Sequence, residues 1–315
     1  MIVVCGEALM DMIDTGDGTR RAMPGGGPFN TARALARLGV PTAFLGRLSQ
    51  DSFGRQLKDQ LVSDGVDMEL ASTGPEPTTT AAVELDGEGL AQYKFFVEGT
   101  SAPNLTIDML PREFGPNVNA LHLGTLGLAL EPIASTLVDL VARERGRRLM
   151  MLDPNVRVGL ADDVDYRNRL VSVVSQSTII KASKDDLAWL YPGLDYEHAA
   201  DRILGEGAKL VVVTLGARGA YGAHDGYRIS VSALPVDIID TVGAGDAFGA
   251  ALLAWLHDHD AIRLDLHLDG GGLKAAMEYA CLAASLTCTR AGADPPRKSE
   301  MTVLQTPRQQ ADHQS

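Results

Sequence analysis

The segment at residues 240–246 reads DTVGAGD and combines an anion-binding pattern with an acid. An apolar helix is predicted to follow, so Gly243, Ala244 and Gly245 stand where backbone N–H groups lack intrahelical partners and the helix dipole is positive. Small residues let an anion approach those N–H groups closely. Asp246 falls in the first turn, where its carboxylate can accept a proton from a hydroxyl. Such an arrangement can carry out phosphoryl transfer to an alcohol. Taken alone, however, a short glycine turn is more often an ordinary turn with a favourable acid at the helix start.

Another glycine-rich loop lies near the N-terminus, where residues 25–32 read GGGPFNTA. Consecutive glycines let the backbone pass close to a ligand. The Asn30 side chain offers both a hydrogen-bond donor and an acceptor, which suits recognition of hydroxyl groups. A plain turn in which Asn30 caps the following helix is the alternative interpretation.

These two segments resemble the two signatures of the ribokinase-like (PfkB) carbohydrate kinases, and the resemblance extends in order from Gly6 to about Pro296. It is strongest to bacterial fructokinases and 2-keto-3-deoxygluconate kinases. It implies a three-layer α/β/α sandwich with a mainly parallel central sheet and a small inserted β-sheet lid. It also implies an ATP-dependent kinase in which Asp246 is the catalytic base and Gly243–Gly245 binds the moving phosphoryl group.

The resemblance also assigns residues to the sugar substrate. These residues are Asp11, Gly26, Gly27, Asn30, Asp153 and Arg157. Asp153 and Arg157 belong to a DPNVR segment typical of fructokinases and 2-keto-3-deoxygluconate kinases, with a strand cap and an exposed arginine as the alternative. Glu7 follows the first strand as Asp11 does, and it is interpreted as a supporting or solvated residue.

Nucleotide and metal sites follow from the same resemblance. The residues assigned to ATP are Lys181, Ser183, Thr214, Gly216, Gly219 and Cys281. Asp186 is assigned to Mg²⁺ through water, and a monovalent cation region, with K⁺ as an open requirement, is assigned to Asp240, Thr241, Arg290 and Gly292. Ser183 and Asp186 stand where the family has Asn and Glu, and a helix capping box is a second interpretation compatible with the first. Cys281 stands where many relatives have an Asn near the adenine.

Alternating strand and helix patterns must position these residues, as in a parallel sheet covered by helices. Strands are predicted at 2–5, 42–48, 120–123, 149–153, 178–181, 210–214, 220–224 and 227–233, with a strand-like run at 235–240. Helices are predicted at 30–38, 51–65, 131–144, 184–191, 196–204, 247–257 and 273–287. We expect one kinase domain over 1–302, a lid from about 9–24 and 70–101, and a polar tail at 303–315.

Composition limits the partners. The 315 residues carry a net charge of −13, which disfavours nucleic acid and anionic membranes because phosphate groups reward Lys and Arg. Three cysteines make no disulfide framework and indicate a reduced, cytoplasmic protein. The N-terminus lacks the features of a signal peptide, and no apolar run is long enough to span a bilayer. We expect a homodimer that pairs through the lid.

Several other interpretations are disfavoured. The sequence contains neither a GxxxxGK[ST] loop nor a GxGxxG after the first strand, so a P-loop enzyme and a nicotinamide dehydrogenase are not indicated. His257 and His259 are two residues apart and do not share a helix face, which argues against a metal pair. Fructose is the first substrate hypothesis, followed by 2-keto-3-deoxygluconate and then ribose or a nucleoside. A catalytically silent sugar- or nucleotide-binding protein is the alternative from a different class.

Overall fold

The alternating sequence pattern produces two β-sheets of different size. The structure, a computed structural model, describes residues 1–14, 19–85, 91–156 and 164–301. In chain order the strands are β1 (Ile2–Cys5), β2 (Leu9–Asp14), β3 (Arg20–Gly25), β4 (Thr42–Leu45), β5 (Arg47–Ser49), β6 (Ser72–Gly74), β7 (Thr80–Leu85), β8 (Ala91–Phe96), β9 (Ala120–Gly124), β10 (Leu149–Asp153), β11 (Ile179–Ser183), β12 (Leu210–Thr214), β13 (Ala220–His224) and β14 (Tyr227–Val231).

The helices cover the larger sheet. In chain order they are α1 (Gly27–Arg37), α2 (Ser52–Ser63), α3 (Ile133–Glu144), α4 (Val164–Val174), α5 (Lys184–Leu190), α6 (Tyr196–Gly205), α7 (Ala244–Asp258), α8 (Gly270–Cys288) and α9 (Lys298–Met301). Asp51 is the N-cap of α2, because its side chain accepts a hydrogen bond from the Gly54 N–H.

The main sheet has eight strands in the order β14-β13-β12-β11-β10-β9-β1-β4. Its strands from β12 to β4 run parallel, and β13 and β14 add an antiparallel edge. The parallel strands therefore end at the same edge of the sheet, where ligands bind in open α/β folds. The Asp153 end of β10, the Ser183 end of β11 and the Thr214 end of β12 all lie at this edge.

Helices pack on both faces of this sheet, which gives the three layers that the sequence predicted. Alternate residues of β1 enter different cores: Ile2 and Val4 join the core beneath α1, α7 and α8, whereas Val3 and Cys5 join the core beneath α3, α4 and α6. A strand that helices cover on both faces has a continuous run of apolar residues in its sequence, and β1 has such a run.

A smaller sheet supplies the lid. It has four strands in the order β3-β2-β7-β8, and β7 and β8 form an antiparallel hairpin. β6 departs from the expected lid range of 70–101, because it pairs with β5 in a separate two-stranded sheet.

Two predictions of secondary structure were wrong, and one helix was missed. The strand at 42–48 is split at Gly46, where an added Cβ would lie 2.4 Å from the Gly6 carbonyl oxygen. The run at 235–240 forms no strand; Ile239 donates its N–H to the Cys288 carbonyl at 2.9 Å, so the end of α8 holds this segment instead of a neighbouring strand. Helix α4 was missed altogether. Within the described ranges, none of the helices combines the length and apolar character that crossing a bilayer requires.

Candidate active site

The glycine turn at the start of α7 is shaped by contacts that exclude larger side chains. Gly243 adopts a left-handed φ of 77° directly before the helix. A Cβ on Gly243 would lie 2.6 Å from the Ala293 Cβ, and one on Gly245 would lie 3.1 Å from the Lys181 Nζ. With Ala244 between them, the two glycines leave the helix N-terminus accessible to the oxygens of an anion. The sequence prediction of an anion-binding turn therefore has a local structural basis.

The predicted catalytic base, Asp246, and the predicted sugar-binding amide, Asn30, meet beside this turn. Asn30 Nδ2 donates to Asp246 Oδ2 at 2.8 Å, which joins residues 216 positions apart in the chain. Both side chains are buried, and Asn30 Oδ1 has no hydrogen-bond partner among the described residues. A buried amide oxygen is normally paired, so this atom is suited to accept a hydrogen bond from a ligand hydroxyl. Gly26, and not Asn30, is the N-cap of α1, so the capping interpretation of Asn30 is wrong.

A cavity of about 310 Å³, here named the polar cavity, lies against these residues. The charged side chains that line it are Glu7, Asp11, Lys181, Asp186 and Asp246. Its remaining lining residues are Leu9, Gly26, Gly27, Asn30, Phe95, Leu126, Asn155, Ser183, Thr214, Thr241, Val242, Gly243 and Gly245. Lys181 is thus the single cationic side chain that the described residues contribute to this lining.

The N-terminal glycine loop brings the lid sheet close to the cavity. A Cβ on Gly25 would lie 2.2 Å from Asp11 Oδ2, so glycine is needed for the Asp11 carboxylate to occupy its place on β2. Gly26 has a φ of 105°, and a Cβ there would lie 2.9 Å from the Glu7 carbonyl oxygen. A Cβ on Gly27 would meet the Thr125 methyl group at 2.6 Å. Close backbone packing, as much as ligand access, explains these consecutive glycines.

Glu7 is buried, so the alternative in which it is solvated is wrong. Its carboxylate accepts hydrogen bonds from the Thr125 hydroxyl and from the Gly127 N–H, the latter at 3.0 Å. Both donors belong to the 3₁₀ turn Thr125–Leu128, which follows β9.

A buried ion pair lies beneath the α7 turn. Lys181 Nζ donates to Asp153 Oδ2 at 2.6 Å, and both side chains are almost fully buried. Asp153 Oδ1 has no hydrogen-bond partner among the described residues. Burial raises the pKa of Asp153 to about 6, an effect that outweighs the attraction of Lys181. The neighbouring carboxylates, Asp153 first among them, outweigh the desolvation of Lys181, so the pKa of this ammonium is raised.

Ser183 and Asp186 form the predicted capping box at the start of α5. The Ser183 side chain accepts from the Asp186 N–H at 3.1 Å, and Asp186 Oδ2 accepts from the Ser183 N–H at 2.8 Å. Asp186 Oδ1 accepts from the Val156 N–H at 2.7 Å, which also fixes the end of the DPNV segment. The carboxylate is therefore held rigidly where it lines the polar cavity.

A second cavity of about 430 Å³, here named the apolar cavity, opens on the other side of the α7 turn. Its lining residues are Thr214, Gly216, Ala217, Gly219, Ala233, Leu234, Pro235, Val236, Ile238, Thr241, Ala244, Gly245, Phe248, Cys281, Ala284, Ser285 and Cys288. Burial raises the pKa of the Cys281 thiol to about 11, so this side chain presents a neutral, apolar surface. The two cavities share Thr214, Thr241 and Gly245.

The predicted monovalent cation region joins two distant segments. Asp240 accepts hydrogen bonds from the Val242 N–H at 3.0 Å and from the Gly292 N–H at 2.8 Å. The Arg290 side chain forms an ion pair with Glu300, so its guanidinium is used in holding the C-terminal segment. Only backbone atoms of Arg290 therefore remain candidates for a cation site.

Some residues that line the polar cavity were not among the sequence predictions. The buried Thr125–Leu128 turn and the lid residue Phe95 contribute to the polar cavity. The turn directly follows the carboxyl end of β9, a position that the general rule for α/β sheets marks as ligand-binding. Arg157, which was assigned to the sugar, lies outside the described residues.

Comparisons with known proteins identify the family of this chain. The profile of the pfkB family of carbohydrate kinases matches residues 1–300. The chain is 41% identical over 261 residues to a fructokinase from Rhizobium leguminosarum bv. trifolii, which covers 81% of this chain and 79% of that protein. It is 32% identical over 320 residues to probable fructokinase-4 from Arabidopsis thaliana, with 96% of each chain covered.

Solved structures show the same fold. A fructokinase double mutant from Vibrio cholerae O395, in fructose-, ADP- and potassium-bound form, has a TM-score of 0.84 and 29% identity, covering 95% of this chain and 96% of that one. An ATP-bound fructokinase from Xylella fastidiosa has a TM-score of 0.87 at 24% identity, covering 95% and 96%. Its similarity supports the fold alone. The chain belongs to the pfkB family of carbohydrate kinases, phosphotransferases that act on a sugar hydroxyl.

Proposed function

We propose that this kinase transfers the γ-phosphoryl group of ATP to a hydroxyl of fructose. The observation that carries the proposal is the 2.8 Å hydrogen bond between Asn30 and Asp246, because it places a hydroxyl-binding amide beside a carboxylate at an anion-binding helix N-terminus. Fructose is favoured over other sugars by the 41% identity to the Rhizobium fructokinase.

Asp246 is the general base in this proposal. Its carboxylate accepts the proton of the attacking hydroxyl as that oxygen bonds to the γ-phosphorus, and the bond from phosphorus to ADP breaks. The N–H groups at Gly243–Gly245 stabilise the charge on the moving phosphoryl oxygens. Lys181, whose Nζ lies near Gly245, adds the single side-chain cation that the described lining offers. Proton acceptance and charge stabilisation thus converge at one helix start.

The sugar is held on the opposite wall. Asn30 Oδ1, which is buried without a partner among the described residues, accepts from a sugar hydroxyl. Asp11 accepts from others, and Gly26 and Gly27 let the ring approach the backbone. The proposed sugar roles of Asp153 and Arg157 have different support. Asp153 forms an ion pair with Lys181, so it acts on the sugar through that lysine. Arg157 lies outside the described residues, so its role is supported by the family resemblance alone.

ATP occupies the apolar cavity in this scheme. The base packs near Cys281, the ribose and phosphates pass Gly216 and Gly219, and the γ-phosphoryl reaches the polar cavity where the two cavities share Thr214 and Gly245. Ser183 lines the polar cavity near this junction. Closure of the lid over the polar cavity excludes water, which would otherwise accept the phosphoryl group.

The metal assignments fit the donor atoms. Asp186 is a rigid carboxylate at the cavity, and Asp153 Oδ1 is a buried oxygen without a partner in the described part of the chain. Such oxygen donors suit Mg²⁺ bound through water, which when present neutralises charge on the nucleotide phosphates. The carboxylate and backbone at Asp240, Thr241 and Gly292 suit a monovalent cation such as K⁺, next to the backbone of Arg290.

Assembly and location complete the proposal. The lid sheet leaves β3 and β8 as edge strands and exposes Ile13 and Phe96 at 40% and 45%, features that support pairing with a second copy. A monomeric mass by light scattering at micromolar concentration would contradict the homodimer. The cysteines of the described residues are free, which supports a reducing, cytoplasmic compartment.

A substrate panel tests the central proposal. ADP release is measured with ATP and Mg²⁺ against fructose, 2-keto-3-deoxygluconate, ribose and adenosine in parallel. We expect the highest kcat/KM with fructose. A higher value with another sugar would replace fructose as the substrate, and no sugar-dependent release across the panel would favour a catalytically silent binding protein.

A further inference from the structure

Glu7 contacts two other segments that line the polar cavity with it, the glycine loop and the turn after β9. It lies two residues beyond β1, and its carbonyl oxygen lies against Gly26 of the glycine loop. Its buried carboxylate accepts from the Thr125 hydroxyl and the Gly127 N–H of the turn after β9. One residue therefore contacts the glycine loop through its carbonyl group and this turn through its carboxylate.

The turn that Glu7 holds is in an unfavourable backbone conformation. Thr125 has a φ of 56°, in the left-handed region that a β-branched residue rarely adopts. Such conformations persist where the surroundings impose them, and they are frequent at ligand sites. The Thr125 hydroxyl is bound to Glu7, and its methyl group lies where a side chain at Gly27 would have to be. Thr125 thus retains a hydroxyl at a position where glycine would fit the backbone better.

The next residue carries this constraint to the cavity. Leu126 is 3% exposed and lines the polar cavity. It packs in a small cluster with Leu9 and Ala81 of the lid, against which Phe95 also packs. Leu9, Phe95 and Leu126 form the apolar wall of a cavity whose other side chains are mostly polar. The placement of Leu126 therefore determines both the shape of that wall and the contact between lid and main sheet.

We infer that Glu7 is a positioning residue for sugar binding: its hydrogen bonds to Thr125 and Gly127 fix the Thr125–Leu128 turn, so that Leu126 forms the wall against which the sugar and the lid close. The inference rests on the proposed sugar kinase activity and adds a determinant of sugar affinity to it. Glu7 acts through the turn and takes no part in the transfer step. Its loss should therefore raise the KM for the sugar while leaving nucleotide binding intact.

The first test is Glu7→Gln. Glutamine keeps the size of the side chain but offers one accepting oxygen. With that oxygen on the Gly127 N–H, its NH₂ donates to the Thr125 hydroxyl oxygen, and the hydroxyl proton that Glu7 accepted loses its acceptor. We expect the sugar KM to rise about tenfold, with the KM for ATP within about twofold and kcat lowered less than the sugar KM is raised.

The matched control is Glu144→Gln. Glu144 is equally buried, at 1% exposure, and pairs with Arg143 and Arg148 far from both cavities. This variant should lower the melting temperature without changing the sugar KM. Equal sugar KM values for folded Glu7→Gln and wild type would overturn the inference, because a purely structural glutamate would behave like Glu144.

A second pair of variants separates positioning from folding. Thr125→Gly and Thr125→Ala both remove the hydroxyl, but only glycine relieves the left-handed backbone. We expect both to raise the sugar KM at least about fivefold, while Thr125→Gly melts at a higher temperature than Thr125→Ala. A wild-type sugar KM in Thr125→Gly would contradict the inference.

The remaining outcomes are also decisive. If Glu7→Gln does not fold, Thr125→Gly carries the test alone; if neither folds, the contact is structural and the inference is wrong. Wild-type activity is measured first. Should the preferred sugar be other than fructose, the fructose proposal fails, but the same KM comparison is then made with that sugar.

Discussion

The polar cavity and the apolar cavity share Thr214, Thr241 and Gly245, yet different interactions build them. The polar cavity is lined by four carboxylates and one ammonium, several of them buried and paired across long stretches of chain. The apolar cavity is lined mainly by small apolar side chains, glycines and thiols.

This difference predicts how each side tolerates change. A buried charge or amide stabilises the structure through directional hydrogen bonds and ion pairs. Removing one partner leaves the other buried without a hydrogen-bond or charge partner, which is costly. Apolar contact is distributed over many atoms, so losing one small side chain costs little. Substitutions around the polar cavity should therefore have large effects on turnover or stability, and comparable substitutions around the apolar cavity should have small ones.

The largest effect is expected from Asp246→Asn. The amide oxygen can still accept from Asn30, so the fold and the cavity should persist, but the general base is lost. We expect kcat to fall by about 10² to 10⁴ with the sugar KM little changed. Steady-state kinetics and the melting temperature measure the two parts. Asp258→Asn, at the exposed end of the same helix, is the control and should keep wild-type turnover. A kcat within about threefold of wild type would remove Asp246 from the base role.

Lys181→Met tests the buried ion pair. It leaves the Asp153 carboxylate buried without its partner, so the free energy of unfolding should fall by about 3–5 kcal/mol. Adding Asp153→Asn should recover much of that stability without restoring turnover, because Lys181 also lines the polar cavity, where we propose that the phosphoryl group is transferred. Denaturant unfolding and kinetics separate the two roles, with the exposed Lys184→Met as control. Recovered turnover in the double variant would make the lysine structural only.

The third prediction concerns pH and a histidine below the polar cavity. His122 is buried in β9 with both ring nitrogens unpaired among the described residues, and burial, then Lys181, lowers its pKa to about 3. In the unfolded chain His122 takes up a proton as the pH drops below about 6.5, whereas in the folded chain it stays neutral down to about pH 3. The free energy of unfolding therefore falls as the pH drops below about 6.5.

Replacement by leucine isolates that contribution. Between pH 7 and pH 5, wild type should lose about 2 kcal/mol more stability than His122→Leu does. Denaturant unfolding at the two pH values measures the difference. Cys281→Ala, in the apolar cavity, should follow the wild-type slope, and parallel slopes for wild type and His122→Leu would show that His122 contributes nothing to acid sensitivity.

The sequence was most informative where function depends on local structure. The glycine turn, the helix start at Ala244 and the first-turn acid Asp246 are neighbours in the chain, and their types alone predict the helix N-terminus. The parallel sheet followed from the alternation of strands and helices. The capping box of Ser183 and Asp186 was likewise predictable, because both partners lie within one turn.

Long-range contacts were not predictable in the same way. The bond between Glu7 and Thr125 joins residues 118 positions apart, and the left-handed conformation of Thr125 is imposed by that packing and not by its own preference. The segment at 235–240 has strand-forming residues, but it leaves the sheet to line the apolar cavity and is held by the end of α8. In each case tertiary contact overrides the local pattern.

The smallest effect is expected from Cys281→Ala. The thiol is neutral and only 5% exposed, and replacing it removes one small group from a cavity formed by many. We expect the KM for ATP to rise less than about threefold, a change below about 1 kcal/mol, with sugar KM and kcat unchanged. Cys5→Ala is the control for a general loss of core packing, because Cys5 is buried in β1 and lines neither cavity. An increase in the KM for ATP of more than about tenfold would mean that the thiol makes a specific contact with the nucleotide. The apolar cavity would then depend on single directional interactions as the polar cavity does.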